Sequence, residues 1–183
     1  MKKLVIALCL LSIAGTSLAA PQYGGPFGPA GGDGSSLIRW RTIVGVITSQ
    51  GVNNPVSSKI DSGTFAWSVR RGLATVNVTT AAVLFEVEGL VINGTSFSGT
   101  PGPVTSVVGT LVCSPGDATH ELAVDTNEVP LNERGNAVFS GFINNMPSSC
   151  ANPLFLIRIA KPAGAAGRWI ATGAERTITN QGH

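Results

Sequence analysis

The amino-acid sequence predicts an all-β fold, an antiparallel β-sandwich or jelly roll of about eight or nine strands carrying one disulfide. Three observations lead there. Apolar and polar residues alternate with a period of two over successive runs rich in Val, Thr, Ile and Phe, the pattern of strands with one buried face. Turn-forming residues punctuate those runs. No window combines helical periodicity with a cap and a helix's length.

The elements follow in chain order. In the first run Ile38, Trp40, Val44 and Val46 share one parity, with Arg39 and Arg41 on the other. Phe65, Trp67 and Val69 alternate with Ala66, Ser68 and Arg70. Ala74, Val76 and Val78 alternate with Thr75, Asn77 and Thr79, and Val83, Phe85 and Val87 with Leu84, Glu86 and Glu88. Later strands are expected over 104–113, 119–125, 136–143, 153–160 and 168–173. Between them lie Asn53-Asn54-Pro55, Arg71-Gly72, Asn93-Gly94, Pro101-Gly102-Pro103, Pro115-Gly116-Asp117 and Arg134-Gly135-Asn136. Asn93-Gly94 suits a type I′ turn, because Gly meets no Cβ penalty at positive φ and Asn little.

The N-terminus predicts an export signal over residues 1–20, removed from the mature chain. Lys2 and Lys3 form a positive region, Leu4 to Ala14 an apolar core, and Ser17-Leu18-Ala19 a small-x-small site for cleavage after Ala19 or Ala20. Residues 21–36 hold six Gly and three Pro, a composition that builds no core and reads as a flexible leader. Residues 37–183 form the single β domain. The expected destination is the periplasm, the cell surface or the medium.

Cleavage alters the arithmetic. The chain of 183 residues has 12 basic and 10 acidic side chains, a net charge of +2, and both excess lysines lie in the signal. The mature chain is neutral, with Lys59 and Lys161 its remaining lysines. A neutral chain has no basic footprint for nucleic acid. No apolar run beyond the signal reaches the ~18 residues of a membrane span. Cys9 leaves with the signal, so Cys113 and Cys150 make one disulfide in an oxidising compartment. They lack the C-x-x-C spacing of a metal pair.

Candidate chemistry is sparse. A histidine is the natural general base near neutrality, and His120 is the one within the domain's interior sequence. The closest approach to a serine elbow, Gly94-Thr95-Ser96-Phe97-Ser98-Gly99, misses Gly-x-Ser-x-Gly by one position. Glu86 and Glu88 share a strand face roughly 7 Å apart by strand rise, near the spacing of glycosidase carboxylates, but a solvated polar face has the same pattern. Asp117, Glu121 and Asp125, with Glu128, Glu133 and His120 close in sequence, offer hard oxygen ligands for calcium. Their order lacks the D-x-[DN]-x-[DN]-G spacing of a calcium loop, so no metal or other cofactor is expected and calcium is a minor alternative. Trp169, opening the last strand, and Tyr23 in the leader are candidate sugar-stacking contacts. Trp40 and Trp67 fall on the core parity. Asn77-Val78-Thr79 and Asn93-Gly94-Thr95 fit the glycosylation sequon.

Phe85-Glu86-Val87-Glu88-Gly89-Leu90-Val91, Val108-Gly109-Thr110-Leu111-Val112-Cys113, Phe155-Leu156-Ile157-Arg158-Ile159 and Gly167-Arg168-Trp169-Ile170-Ala171-Thr172-Gly173 resemble uncharacterised exported β-rich proteins of microbes. The resemblance implies an exported β domain whose two cysteines bracket its middle. It implies no substrate, cofactor or catalytic residue.

The expected function is a non-enzymatic structural or interaction role at or outside the cell surface, with self-association as one route. Edge strands commonly resist pairing through lysines, and few remain here. A carbohydrate-binding module, with or without calcium, is the alternative. A hydrolase using His120 or the Glu86/Glu88 pair is the third reading.

Overall fold

A computed structural model of the protein describes residues 36–180. Residues 1–20, expected as an export signal, residues 21–35 of the expected leader with Tyr23 among them, and residues 181–183 lie outside the described residues.

Eleven strands form in chain order: β1 (Ser36–Gly45), β2 (Trp67–Ser68), β3 (Arg71–Asn77), β4 (Ala82–Glu88), β5 (Val91–Ile92), β6 (Ser106–Cys113), β7 (Leu122–Asp125), β8 (Val129–Pro130), β9 (Ala137–Phe142), β10 (Leu154–Ala160) and β11 (Ala166–Asn180). A three-residue 3₁₀ turn, Pro162–Gly164, joins β10 to β11, and the described residues contain no α-helix. The strands of the main sheet run antiparallel in the order β7-β6-β10-β11-β1-β3-β4-β9, and β8 pairs with β6 beyond β7. β2 and β5 make a separate two-stranded pair.

One sheet makes the sandwich by curling until its halves face each other. Phe85 on β4 and Phe155 on β10 are four ladder positions apart, about 19 Å in a flat sheet at ~4.8 Å per strand. Their ring centroids are 5.8 Å apart. Trp40 packs on Phe155 at 5.5 Å, and Phe139 stacks on Phe85 at 5.8 Å. Gly109 on β6 lets these rings in, since a Cβ there would lie 2.7 Å from Phe155 Cζ and 2.8 Å from Phe85 Cδ1. The disulfide joins Cys113, the last residue of β6, to Cys150 in the loop before β10, with Cα atoms 4.9 Å apart.

Several local expectations change. Val44, assigned to the core parity, is exposed, and Ile43 is buried in its place. The β1–β3 ladder ends at Trp40–Ala74, and beyond it Ile43 packs over Gly72, where a Cβ would meet Ile43 Cβ at 2.7 Å. Arg71-Gly72, expected as a turn, therefore starts β3. The run 65–69 is reduced to the two residues of β2. Asn93 does not take positive φ although Gly94 does; the pair opens the loop between β5 and β6 and is no two-residue hairpin turn. The last strand extends well past 173, because β11 pairs with β10 at its start and with β1 from Ala171 to Asn180.

Candidate functional site

The polar residues singled out by sequence are dispersed, and Asp117, His120, Glu86, Glu88, Glu121 and Asp125 are each engaged by neighbouring side chains or backbone. Asp117 Oδ1 accepts from the Thr119 and His120 backbone N–H groups at 2.9 and 3.1 Å, and its Oδ2 lies 3.0 Å from His120 Nδ1. The Thr119 backbone N–H and hydroxyl, then His120, hold this carboxyl well below the usual carboxylate range. Thr119 Oγ1 approaches the same Nδ1 at 2.8 Å. A triad needs its carboxylate and its hydroxyl on opposite ring nitrogens, so this exposed turn is not a relay. Ser98, the elbow's second serine, spends its hydroxyl as acceptor for the Thr95 backbone N–H at 3.1 Å.

Glu86 and Glu88 share the outer face of β4 and meet arginines. Glu88 receives Arg70 at 2.8 Å and Arg71 at 2.6 Å, and Arg71 lies 3.8 Å from Glu86. Arg70 and Arg71 are largely exposed, so these pairs contribute little stability; they set guanidinium groups beside both carboxylates.

The calcium candidates do not converge. Glu121 accepts from Ser57 Oγ and the Gly116 backbone N–H, both at 2.8 Å. Asp125 accepts from Thr110 Oγ1 and faces Arg158 Nη1 at 3.7 Å. Among the described residues, no group of three or more His, Cys, Asp or Glu side chains is placed to hold a metal ion.

Trp169, expected at the surface as a sugar contact, is 8% exposed. Trp40 and Trp67 are buried as their parity predicts. The indole of Trp169 donates Nε1–H to the Asn54 carbonyl at 2.9 Å, and its backbone bridges to the 61–63 segment. That ring is a structural clamp with no open face for a sugar. Of the two sequons, Asn77 is buried at the end of β3 and accepts from the Thr80 backbone N–H at 3.0 Å, while Asn93 is exposed.

β9, Ala137–Phe142, pairs with β4 on one side and is the terminal strand of the main sheet. Its sequence AVFSGF has no charge and no proline, the usual guards of an edge. Ala137 and Phe139 point into the core, so Val138, Ser140 and Phe142 fall on the outer face, with Val138 59% and Phe142 58% exposed. Leu73 and Leu84 continue this face on β3 and β4, where Leu84 is opposite Ser140. The other end strand, β7, is four residues long and ends in Asp125. The alternation of β9 was legible in the sequence; its place at the rim was not.

No known protein family, curated protein or solved structure matches this chain. Among the described residues, no helix is long and apolar enough to cross a membrane.

Proposed function

We propose that this is an exported, non-enzymatic structural or interaction protein that self-associates at or outside the cell surface through β9, the end strand of the main sheet. The uncharged, six-residue rim strand with exposed Val138 and Phe142 carries this reading. Antiparallel pairing of two copies about Ser140 would set Val138 of each opposite Phe142 of the other. Aromatic with β-branched is a favourable cross-strand pair, worth about 0.2–1 kcal/mol. The one new ladder would join the sheets of the two copies through main-chain hydrogen bonds. The disulfide supports an oxidising compartment, where such bonds persist. The export reading rests on the N-terminal signal, and the non-enzymatic one on carboxylates and a histidine already engaged locally.

Sedimentation velocity on the chain beginning after Ala20 tests the assembly, over a concentration series, with Val138→Lys/Phe142→Lys alongside. The wild type should shift from monomer toward dimer as concentration rises. The doubly substituted protein, altered at exposed positions, should stay monomeric with an unchanged melting temperature. A wild type that remains strictly monomeric, or a variant that associates equally, refutes the proposal.

A further inference from the structure

Away from β9, the turn between β10 and β11 and the 54–63 loop border an open polar concavity of about 270 Å³ lined by Lys59, Asp61, Arg158, Lys161, Gly167 and Arg168. Trp169 assembles it. The Trp169 backbone N–H donates to the Asp61 carbonyl at 3.0 Å, and its carbonyl accepts from the Gly63 N–H at 2.7 Å. With the indole bond to Asn54, these lace the loop onto the start of β11 and bring Lys59 beside Arg168. Gly167 leaves room for the other lysine, since a Cβ there would lie 3.2 Å from Lys161 Cε.

Charge is concentrated here beyond what the composition suggests. Lys59 and Lys161 are the two lysines outside the export signal, and they share this lining with two arginines. Asp61 is the one carboxylate in the lining. Arg158 forms a half-buried floor, its Nε–H donating to the Gly167 carbonyl at 2.7 Å and Nη2 to the Ala166 carbonyl at 3.2 Å, with Asp125 3.7 Å from Nη1. Arg168 spends Nη1 on the Ser62 carbonyl at 2.8 Å. Among the described residues, no ion pair engages Lys59, Lys161 or Arg168. Ammonium and guanidinium donors gathered around a concave site, in excess over carboxylate, match the acceptors of an oxyanion.

We infer that this pocket binds one tetrahedral oxyanion group, a phosphate or sulfate, either as the free ion or as an ester on a small sugar. Lys59, Lys161 and Arg168 supply the donors, and Arg158 contributes positive potential from beneath. Neutral sugar alone has no stacking surface here and does not bind.

The test is an amide-resolved NMR titration of the full mature chain, at low ionic strength, with inorganic phosphate, inorganic sulfate, glucose 6-phosphate and glucose as probes. Phosphate or sulfate should produce saturable shifts at Lys59, Asp61, Lys161, Gly167 and Arg168, with a dissociation constant on the order of 1 mM. Lys59→Ala/Lys161→Ala removes two exposed side chains and should weaken binding at least about tenfold. Arg134→Ala, in the turn before β9, should leave it unchanged. Tighter binding of glucose 6-phosphate than of phosphate identifies the ester as the preferred source, and equal binding identifies the free ion. Absence of saturable shifts with every anion, equal shifts with glucose, or undiminished binding by the lysine-deficient variant overturns the inference.

Discussion

Gly109→Ala places one methyl group where the two halves of the sheet meet. The added Cβ would lie 2.7 Å from Phe155 Cζ and 2.8 Å from Phe85 Cδ1 and Cε1. Neither ring can retreat freely: Trp40 backs Phe155 at 5.5 Å, Phe139 backs Phe85 at 5.8 Å, and Phe85 and Phe155 are fully buried. The backbone is also pinned, because the Gly109 N–H donates to Thr126 Oγ1 at 2.9 Å and its carbonyl accepts from the Thr126 N–H at 2.8 Å. Overpacking of this kind costs about 1–3 kcal/mol. The lower chain entropy of unfolded Ala offsets about 0.4–1 kcal/mol, since Gly109 does not occupy positive φ. A net loss of about 1–2 kcal/mol, or about 3–6 °C in melting temperature, is expected. Urea unfolding followed by tryptophan fluorescence, with calorimetry on the oxidised protein, measures it. Phe85→Leu should cost less in the Gly109→Ala background by about 1 kcal/mol, because it vacates the space the methyl needs. A Gly109→Ala protein as stable as wild type, or strict additivity with Phe85→Leu, would refute the packing of β6 against β4.

Two further outcomes are expected. Trp169→Phe keeps most of the buried ring but loses the N–H donated to Asn54. It should cost about 1 kcal/mol and quicken hydrogen exchange at Asn54, Ser62 and Gly63; unchanged exchange there would remove the clamp role. For Asp117 the sign follows from its depressed native pKa: its stabilisation is present above the unfolded value of about 3.9 and is lost as pH falls below that value toward the native one. Asp117→Asn should therefore lower the melting temperature at neutral pH and flatten its fall on acidification below about pH 4. Parallel acid limbs in the two proteins would show that the Asp117 turn does not stabilise the fold.

Strand positions and facing were largely readable, because a period of two is a local property of neighbouring residues. Ile38, Trp40, Ala74, Val76, Val83, Phe85 and Val87 are all buried as their parity requires. The errors fall where a neighbouring strand intervenes. Val44 follows the parity of Trp40, but past the end of the β3 ladder it is Ile43 that is buried and Val44 that is exposed. Gly72 looks like a turn residue and is a strand residue under Ile43. The polar stretch after Gly173 has no amphipathic signal, yet β1 recruits it into the ladder.

The candidate sites divide the same way. Composition and alternation alone specified an all-β chain with a disulfide pair, few charges, and Trp40 and Trp67 inward, since these depend on residue type and short-range spacing. Strand order is a long-range property. It alone decided that β9 is a rim and β4 is not, that Trp169 is a clamp rather than a platform, and that Lys59 and Lys161, 102 positions apart in the chain, line one pocket. Curling brings residues together through ladders and ring packing between distant segments, and no local pattern along the chain encodes which segments those are.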